Sequence, residues 1–205
     1  MPKNNEAVVI APDRLEAASD LVDWIGHSMA DASFTATYRT RAAAACFAVV
    51  QEHHQAILIL TDHRIFASSF ALLRVAFDAY VRGAWLSLCA TEAQAEAFFR
   101  GKEPEGMNVL LKALEGTPEF SNGELTAIKV GSWKAMCAYT HTGGLQVQRW
   151  NNDDAVEPSY TLDEVMDVLQ FTELLGMMSV VSFASLIDDV VLANDALTRL
   201  KAMQR

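Results

Sequence analysis

The chain has 205 residues, of which 51% are hydrophobic and 20% are charged. This composition excludes a disordered chain, and the length suits a single helical domain spanning residues 1–205. Because 26 acidic residues outnumber 16 basic ones and the formal net charge is -10, we expect no general binding of DNA.

The prolines predict an all-α fold. None of the five prolines lies between residues 13 and 103 or after residue 158. Proline in a helix interior costs about 3 kcal/mol, so long proline-free regions rich in Ala and Leu favour helices. Sustained alternation of apolar and polar residues bounded by turn signals, the mark of strands, is missing. We expect an up-and-down bundle of about five to seven helices with a long C-terminal helix.

The predicted helices follow one another with short breaks. Their ranges are 13–31, 34 or 38 to 62, 65–90, 92–100, 107–114, 122 or 123 to 140, and 161 to the C-terminal region, with a bend or restart between 188 and 195. Thr91 with Gln94, and Thr161 with Glu164, have the spacing of capping boxes. The segment 143–150 carries a short strand-like alternation.

The cysteines and the N-terminal segment indicate a cytoplasmic protein. Cys46, Cys89 and Cys137 are far apart and form no CxxC pair, which is typical of free thiols in a reducing compartment. The first residues do not have the pattern of a signal peptide. The uncharged stretch 174–187 is shorter than the about 20 residues that span a membrane, so we expect no membrane association.

Sequence motifs for cofactors and metals are missing. The chain contains no GxxxxGK[ST], GxGxxG or GxSxG motif, and no Glu-x-x-His or His-Glu-x-x-His pattern. We therefore expect no cofactor and no metal site.

The third predicted helix carries an unusual charged stripe. Arg74, Asp78 and Arg82 stand four residues apart in a helix that is otherwise apolar almost all round. One interpretation is a ladder of ion pairs on a partly exposed edge. The other is a binding site for an anion, because one carboxylate cannot accept hydrogen bonds from all the N–H groups of two guanidinium groups. Ligand-binding candidates are therefore Arg74, Asp78 and Arg82.

A second candidate segment surrounds His141. It follows Tyr139 and precedes Gly143 and Gly144, so it lies at a predicted helix end where the backbone is open. The alternative is a favourable interaction of the imidazole with the helix C-terminus. Tyr139 and His141 join the ligand-binding candidates. If the protein is an enzyme, His141, Arg74 and Arg82 are the catalytic candidates.

The sequence LLRVAFDAYVRGAWL at 72–86, with YTHTGG at 139–144, resembles uncharacterised bacterial all-helical families that look similar to the HEPN superfamily. The resemblance covers residues 65–150. Many HEPN proteins are ribonucleases of defence or toxin systems, and others are inactive scaffolds. Their nucleases carry an Arg-x(4–6)-His motif on one helix. Here the nearest basic residue before His141 is Lys134, so the motif is not matched, and an Arg/His pair has to come from two helices.

Three functions follow from these observations. The first is a non-catalytic, dimeric bacterial protein, an accessory of a defence or stress system, whose apolar stretch 174–187 contacts a second copy. The second is a metal-independent ribonuclease in which His141 is the general acid or base and Arg74 or Arg82 stabilises developing charge. The third is a sensor of a small anion. The expected partners are a second copy of the chain and a small anion or RNA.

Overall fold

The computed structural model describes residues 8–30, 32–152 and 155–203, and within them the chain is all α-helical with no strands. The predicted all-α class is confirmed. The helices are α1 (Pro12–Met29), α2 (Tyr38–Asp62), α3 (Phe66–Leu88), α4 (Glu92–Phe99), α5 (Met107–Leu114), α6 (Glu124–Thr140), α7 (Gly144–Gln148), α8 (Leu162–Leu186) and α9 (Val190–Met203), with a short 3-10 helix at Pro118–Phe120.

The described residues contain nine α-helices, more than the expected five to seven, for two reasons. The chain restarts as α9 after Asp188, whose φ of 59° is left-handed and cannot continue α8. The strand-like segment is instead the short helix α7. Its alternation was misleading because polar Gln146 is 7% exposed whereas apolar Val147 is 52% exposed. The predicted end of the first helix at Asp31 lies outside the described residues.

Capping explains where several helices begin. Thr91 accepts a hydrogen bond from the backbone of Gln94, whose side chain accepts one from the backbone of Thr91. Thr161 and Glu164 form the same reciprocal pair at the start of α8. Both predicted capping boxes are therefore present, and each satisfies two backbone donors that a helix start leaves free.

The core is centred on α3, which packs against α2, α5, α6 and α8. Phe70, Phe77 and Tyr80 are at most 2% exposed. Gly83 lets α2 approach closely, because a Cβ there would lie 2.8 Å from the Phe47 ring. The third predicted helix, which is apolar almost all round, is thus the central packing element of the described chain.

The apolar stretch at 174–187 packs mostly inside the chain, so its apolar character is no longer an argument for a dimer. Leu175, Met177 and Val180 of α8 are fully buried. Glu173 is 6% exposed and accepts two hydrogen bonds, at 2.7 and 2.9 Å, from Arg14 of α1. A buried carboxylate is tolerated here because a guanidinium pairs with both of its oxygens.

Two helices, α2 and α8, are long and apolar enough to cross a membrane by length and composition. The most apolar window of α8 is 61% buried within the chain, and that of α2 is 28% buried. Core helices of soluble proteins pass the same test, so this is weak evidence for a membrane protein.

Candidate functional site

Two polar side chains, one at the C-terminal end of α6 and one on the following helix α7, fasten this part of the chain to α3. The hydroxyl of Thr140 donates a hydrogen bond of 3.0 Å to the carbonyl oxygen of Ala71, and the amide of Gln146 donates one of 3.3 Å to that of Ala67. These bonds set the position of α6 along α3. They place the residue after Thr140, which is His141, beside the middle of α3.

The turn after α6 fixes the backbone at His141. The helix ends there, Thr142 adopts a left-handed φ of 52°, and the N–H of Gly143 donates a 2.6 Å hydrogen bond to the carbonyl of Ala138. The bond from Gly143 to Ala138 is the 6→1 hydrogen bond of a Schellman motif. A Cβ on Gly143 would lie 3.0 Å from the Cα of Ala138, so the glycine predicted to open the backbone instead allows a tight turn.

Arg74 and His141 are in direct contact. The Nη1 atom of Arg74 lies 2.6 Å from the Nε2 atom of His141. A guanidinium has donors and no acceptor, so Nε2 must accept the hydrogen bond, and the imidazole is then neutral with its proton on Nδ1. The histidine is exposed and the Arg74 side chain is 24% exposed, so solvent reaches the pair. The structure therefore brings together two of the predicted site residues from separate helices.

Trp133 of α6 completes the surroundings of Arg74. The guanidinium of Arg74 lies 4.8 Å from the centre of the Trp133 ring, and the ammonium of Lys129 lies 5.1 Å from it. Both distances are typical of cation–π contacts. Trp133 and Lys129 are not among the site residues predicted from the sequence. Their spacing of four residues on one helix was the available signal, but the arginine they meet is on another helix.

The stripe on α3 is not a continuous ladder. Nε of Arg74 lies 3.9 Å from Oδ2 of Asp78, whereas Arg82 forms its ion pair with Glu103 in the loop before α5. Oδ1 of Asp78 is buried and has no hydrogen-bond partner. Burial raises the pKa of Asp78, and the nearby cations Arg74 and Arg82 oppose that rise. Arg82 is thus occupied by Glu103, and Arg74 is the arginine that contacts His141.

Tyr139 lies in a different environment from His141. It is 8% exposed and its ring packs edge-on against Phe70, with the centroids 4.9 Å apart. Two residues along a helix differ in direction by about 200°, which explains why neighbours in sequence separate in space. Burial raises the pKa of Tyr139, Glu164 adds to the rise and Arg149 opposes it.

Other kinds of site find little support in the described part of the chain. There, no group of three or more His, Cys, Asp or Glu side chains is arranged to hold a metal ion. All three cysteines are free thiols. Burial raises the pKa of Cys46 to about 11, so this thiol is a poor nucleophile at neutral pH.

Arg74 and His141 can act as positively charged hydrogen-bond donors. Arg74 offers a planar set of N–H groups, His141 gains a second N–H when it is protonated, and Lys129 adds a positive charge nearby. The carboxylate of Asp78 is half-buried and competes with any incoming anion for Arg74. The arrangement is suited to bind a small oxyanion from solvent.

Comparison with known proteins places the chain in a family. No curated protein and no solved structure matches it. No comparison links it to the HEPN superfamily or to a bacterial source. Residues 47–203, which include α3, α6 and the contact between Arg74 and His141, match the model of a family of unknown function. The chain therefore belongs to this family, DUF6988.

Proposed function

We propose that the protein is a non-catalytic binding protein that recognises a phosphate-type oxyanion through Arg74 and His141. The observation that carries the proposal is the 2.6 Å contact between Nη1 of Arg74 and Nε2 of His141. It joins an arginine of α3 and a histidine at the end of α6, and both reach solvent. Arginine and protonated histidine are common donors to phosphate oxygens.

Binding exchanges one hydrogen bond for several. The anion accepts the Nη1–H of Arg74 that His141 accepts in the free protein. Nε2 of His141 then takes up a proton and donates to a second oxygen of the anion. Anion binding is therefore accompanied by the uptake of a proton. The contact between Arg74 and Trp133 holds the guanidinium plane during the exchange.

The same geometry favours binding over catalysis. Cleavage of a phosphodiester uses a general base and a general acid, each near its working pH. Arginine does not lose its proton, so Arg74 can serve as neither. The lone pair of His141 that a base would use is occupied by Arg74. The carboxylate of Asp78 lies beside the same arginine, so neither His141 nor Asp78 is free to act as the base.

Titration calorimetry with inorganic phosphate tests the proposal. We expect a dissociation constant of about 1 mM, typical of two exposed donors, which corresponds to about 4 kcal/mol. Arg74→Ala should weaken binding about tenfold or more, since a hydrogen bond to a charged group is worth about 1.5–3 kcal/mol. Arg100→Ala is the matched control, because Arg100 is an exposed arginine paired with Glu96 on α4. Equal binding by wild type and Arg74→Ala contradicts the proposal.

A metal-independent ribonuclease is the second candidate. It is favoured by one observation, the assembly of an Arg/His pair from two helices, which replaces the Arg-x(4–6)-His motif that the sequence lacks. In this reaction His141 moves the proton and Arg74 stabilises the charge of the phosphorane. Incubation of purified protein with single-stranded RNA in the presence of EDTA tests it. Cleavage that His141→Gln abolishes, without loss of the fold, establishes this function in place of simple binding.

The expected homodimer, the cytoplasmic location and the role as an accessory of a defence or stress system stay predictions. Burial of much of the stretch 174–187 within the chain removes one argument for the dimer. Light scattering over a range of protein concentrations measures the oligomeric state directly. A mass of 22.5 kDa at all concentrations identifies a monomer and contradicts the dimer prediction.

A further inference from the structure

A second candidate site lies in a cavity between α3, α6 and α8. Its volume is about 370 Å³, which falls within the range of about 300–1,000 Å³ found for small-molecule sites. Neither Arg74 nor His141 lines it. The cavity is therefore separate from the oxyanion site proposed above.

The walls of the cavity are mainly apolar and aromatic. Phe70 and Leu73 of α3, Met136 and Tyr139 of α6, and Phe171 of α8 line it. Gly131 also lies in the wall, and a Cβ on it would meet open space. Such a wall accepts the hydrocarbon body of a ligand, and the faces of the aromatic rings attract a cation.

The charges at the cavity are negative. Glu164 is neutralised, because its Oε1 accepts from Arg149 and its Oε2 accepts from the backbone and the hydroxyl of Thr161. Asp167 is different. It lines the cavity, is exposed, and has no ion pair or hydrogen bond to any other described residue. Asp167 therefore leaves one uncompensated negative charge at the wall of the cavity, and this charge attracts cations.

We propose that this cavity binds a small amphipathic ammonium compound, with its apolar body against the aromatic wall and its ammonium group at Asp167. The complementarity is specific in two respects. A neutral molecule of the same shape gains the apolar contacts but leaves Asp167 without a partner. An anion is repelled by the carboxylate of Asp167, whereas the oxyanion site, whose Arg74 and His141 do not line this cavity, attracts it.

Two ligands of matched shape test the charge. The probes are 2-phenylethylammonium and 2-phenylethanol, and titration calorimetry or NMR measures their affinities. We expect the ammonium compound to bind about two- to fivefold more tightly than the alcohol, as for a solvent-exposed ion pair. Asp167→Asn should abolish this preference. Asp163→Asn, which removes an exposed carboxylate one turn earlier on α8 and outside the cavity, should preserve it.

A cavity-filling variant tests the location. Gly131→Leu adds a side chain where space is open, and replacing a helical glycine favours the helix, so the variant is expected to fold. It should weaken both probes at least tenfold while leaving phosphate binding at Arg74 unchanged. Failure of the wild type to bind either probe overturns the proposal. So does a preference for the ammonium compound that survives Asp167→Asn, or binding that is unaffected by Gly131→Leu.

Discussion

The buried imidazole of His54 makes the stability of the fold depend on pH. His54 lies in α2, is 1% exposed, and faces Gly176 of α8. The space there is filled, because a Cβ on Gly176 would lie 2.8 Å from Nδ1 of His54. Burial lowers the pKa of His54 from 6.5 to about 4, since the charged imidazolium loses its hydration in the core.

The sign and size of the effect follow from proton linkage. Between about pH 6.5 and pH 4 the unfolded chain binds a proton at His54 and the folded chain does not. The free energy of unfolding therefore falls as the pH is lowered through this window. Each pKa unit corresponds to about 1.4 kcal/mol, so His54 destabilises the fold by about 3 kcal/mol at pH 4 relative to pH 7.

Replacement of the imidazole by a side chain that does not titrate isolates this contribution. Urea unfolding of wild type and His54→Gln should be measured at several values between pH 4 and pH 7. The substitution lowers stability at pH 7, but the loss of stability on acidification should be about 3 kcal/mol smaller in the variant. His63→Gln, at an exposed position just after α2, controls for the removal of one histidine. Parallel pH profiles for wild type and His54→Gln refute the reasoning.

Three further substitutions probe the oxyanion site and the packing of α3. Asp78→Asn removes the carboxylate that competes for the arginine at the site, so phosphate affinity measured by calorimetry should rise about two- to fivefold. Gly83→Ala places a Cβ 2.8 Å from the ring of Phe47, and urea unfolding should show a loss of about 1–3 kcal/mol. Gly143→Ala brings a Cβ to 3.0 Å from Cα of Ala138 and shifts the turn at the site, so both stability and phosphate affinity should fall, by about 1 kcal/mol each. An unchanged phosphate affinity or an unchanged free energy of unfolding in any of these assays contradicts the prediction made for that substitution.

The helices were predictable because their signals are local. The third predicted helix is apolar almost all round, which is typical of a buried helix, and its Phe70 and Phe77 are buried. The capping boxes marked where α4 and α8 begin. The segment at α7 misled the prediction, because five residues are too few to distinguish a period of two from a helical period. There the bond from Gln146 to the backbone of α3 decides which side is buried.

The site was predictable only in part because it depends on how helices pack. The sequence indicated that Arg74 and His141 were unusual, but they are 67 residues apart and their contact requires α6 to lie against α3. The assignment of Arg82 to Glu103 rather than to Asp78 depends on the path of a loop. The spacing of Lys129 and Trp133 was only a weak signal, since a tryptophan on a helix is usually a packing residue.

Histidine NMR tests the central claim, that Arg74 and His141 together bind an oxyanion. In protein labelled with ¹⁵N at histidine, long-range ¹H–¹⁵N spectra report which ring nitrogen of His141 carries a proton, and His141→Gln assigns its signals. The account predicts a neutral ring with the proton on Nδ1 in the free protein. Sulfate is the probe because it has no proton equilibrium of its own near neutral pH. Titration with sulfate should protonate Nε2 in a saturable manner, and Arg74→Ala should abolish this change. Signals of His141 that stay unchanged as sulfate is added contradict the account.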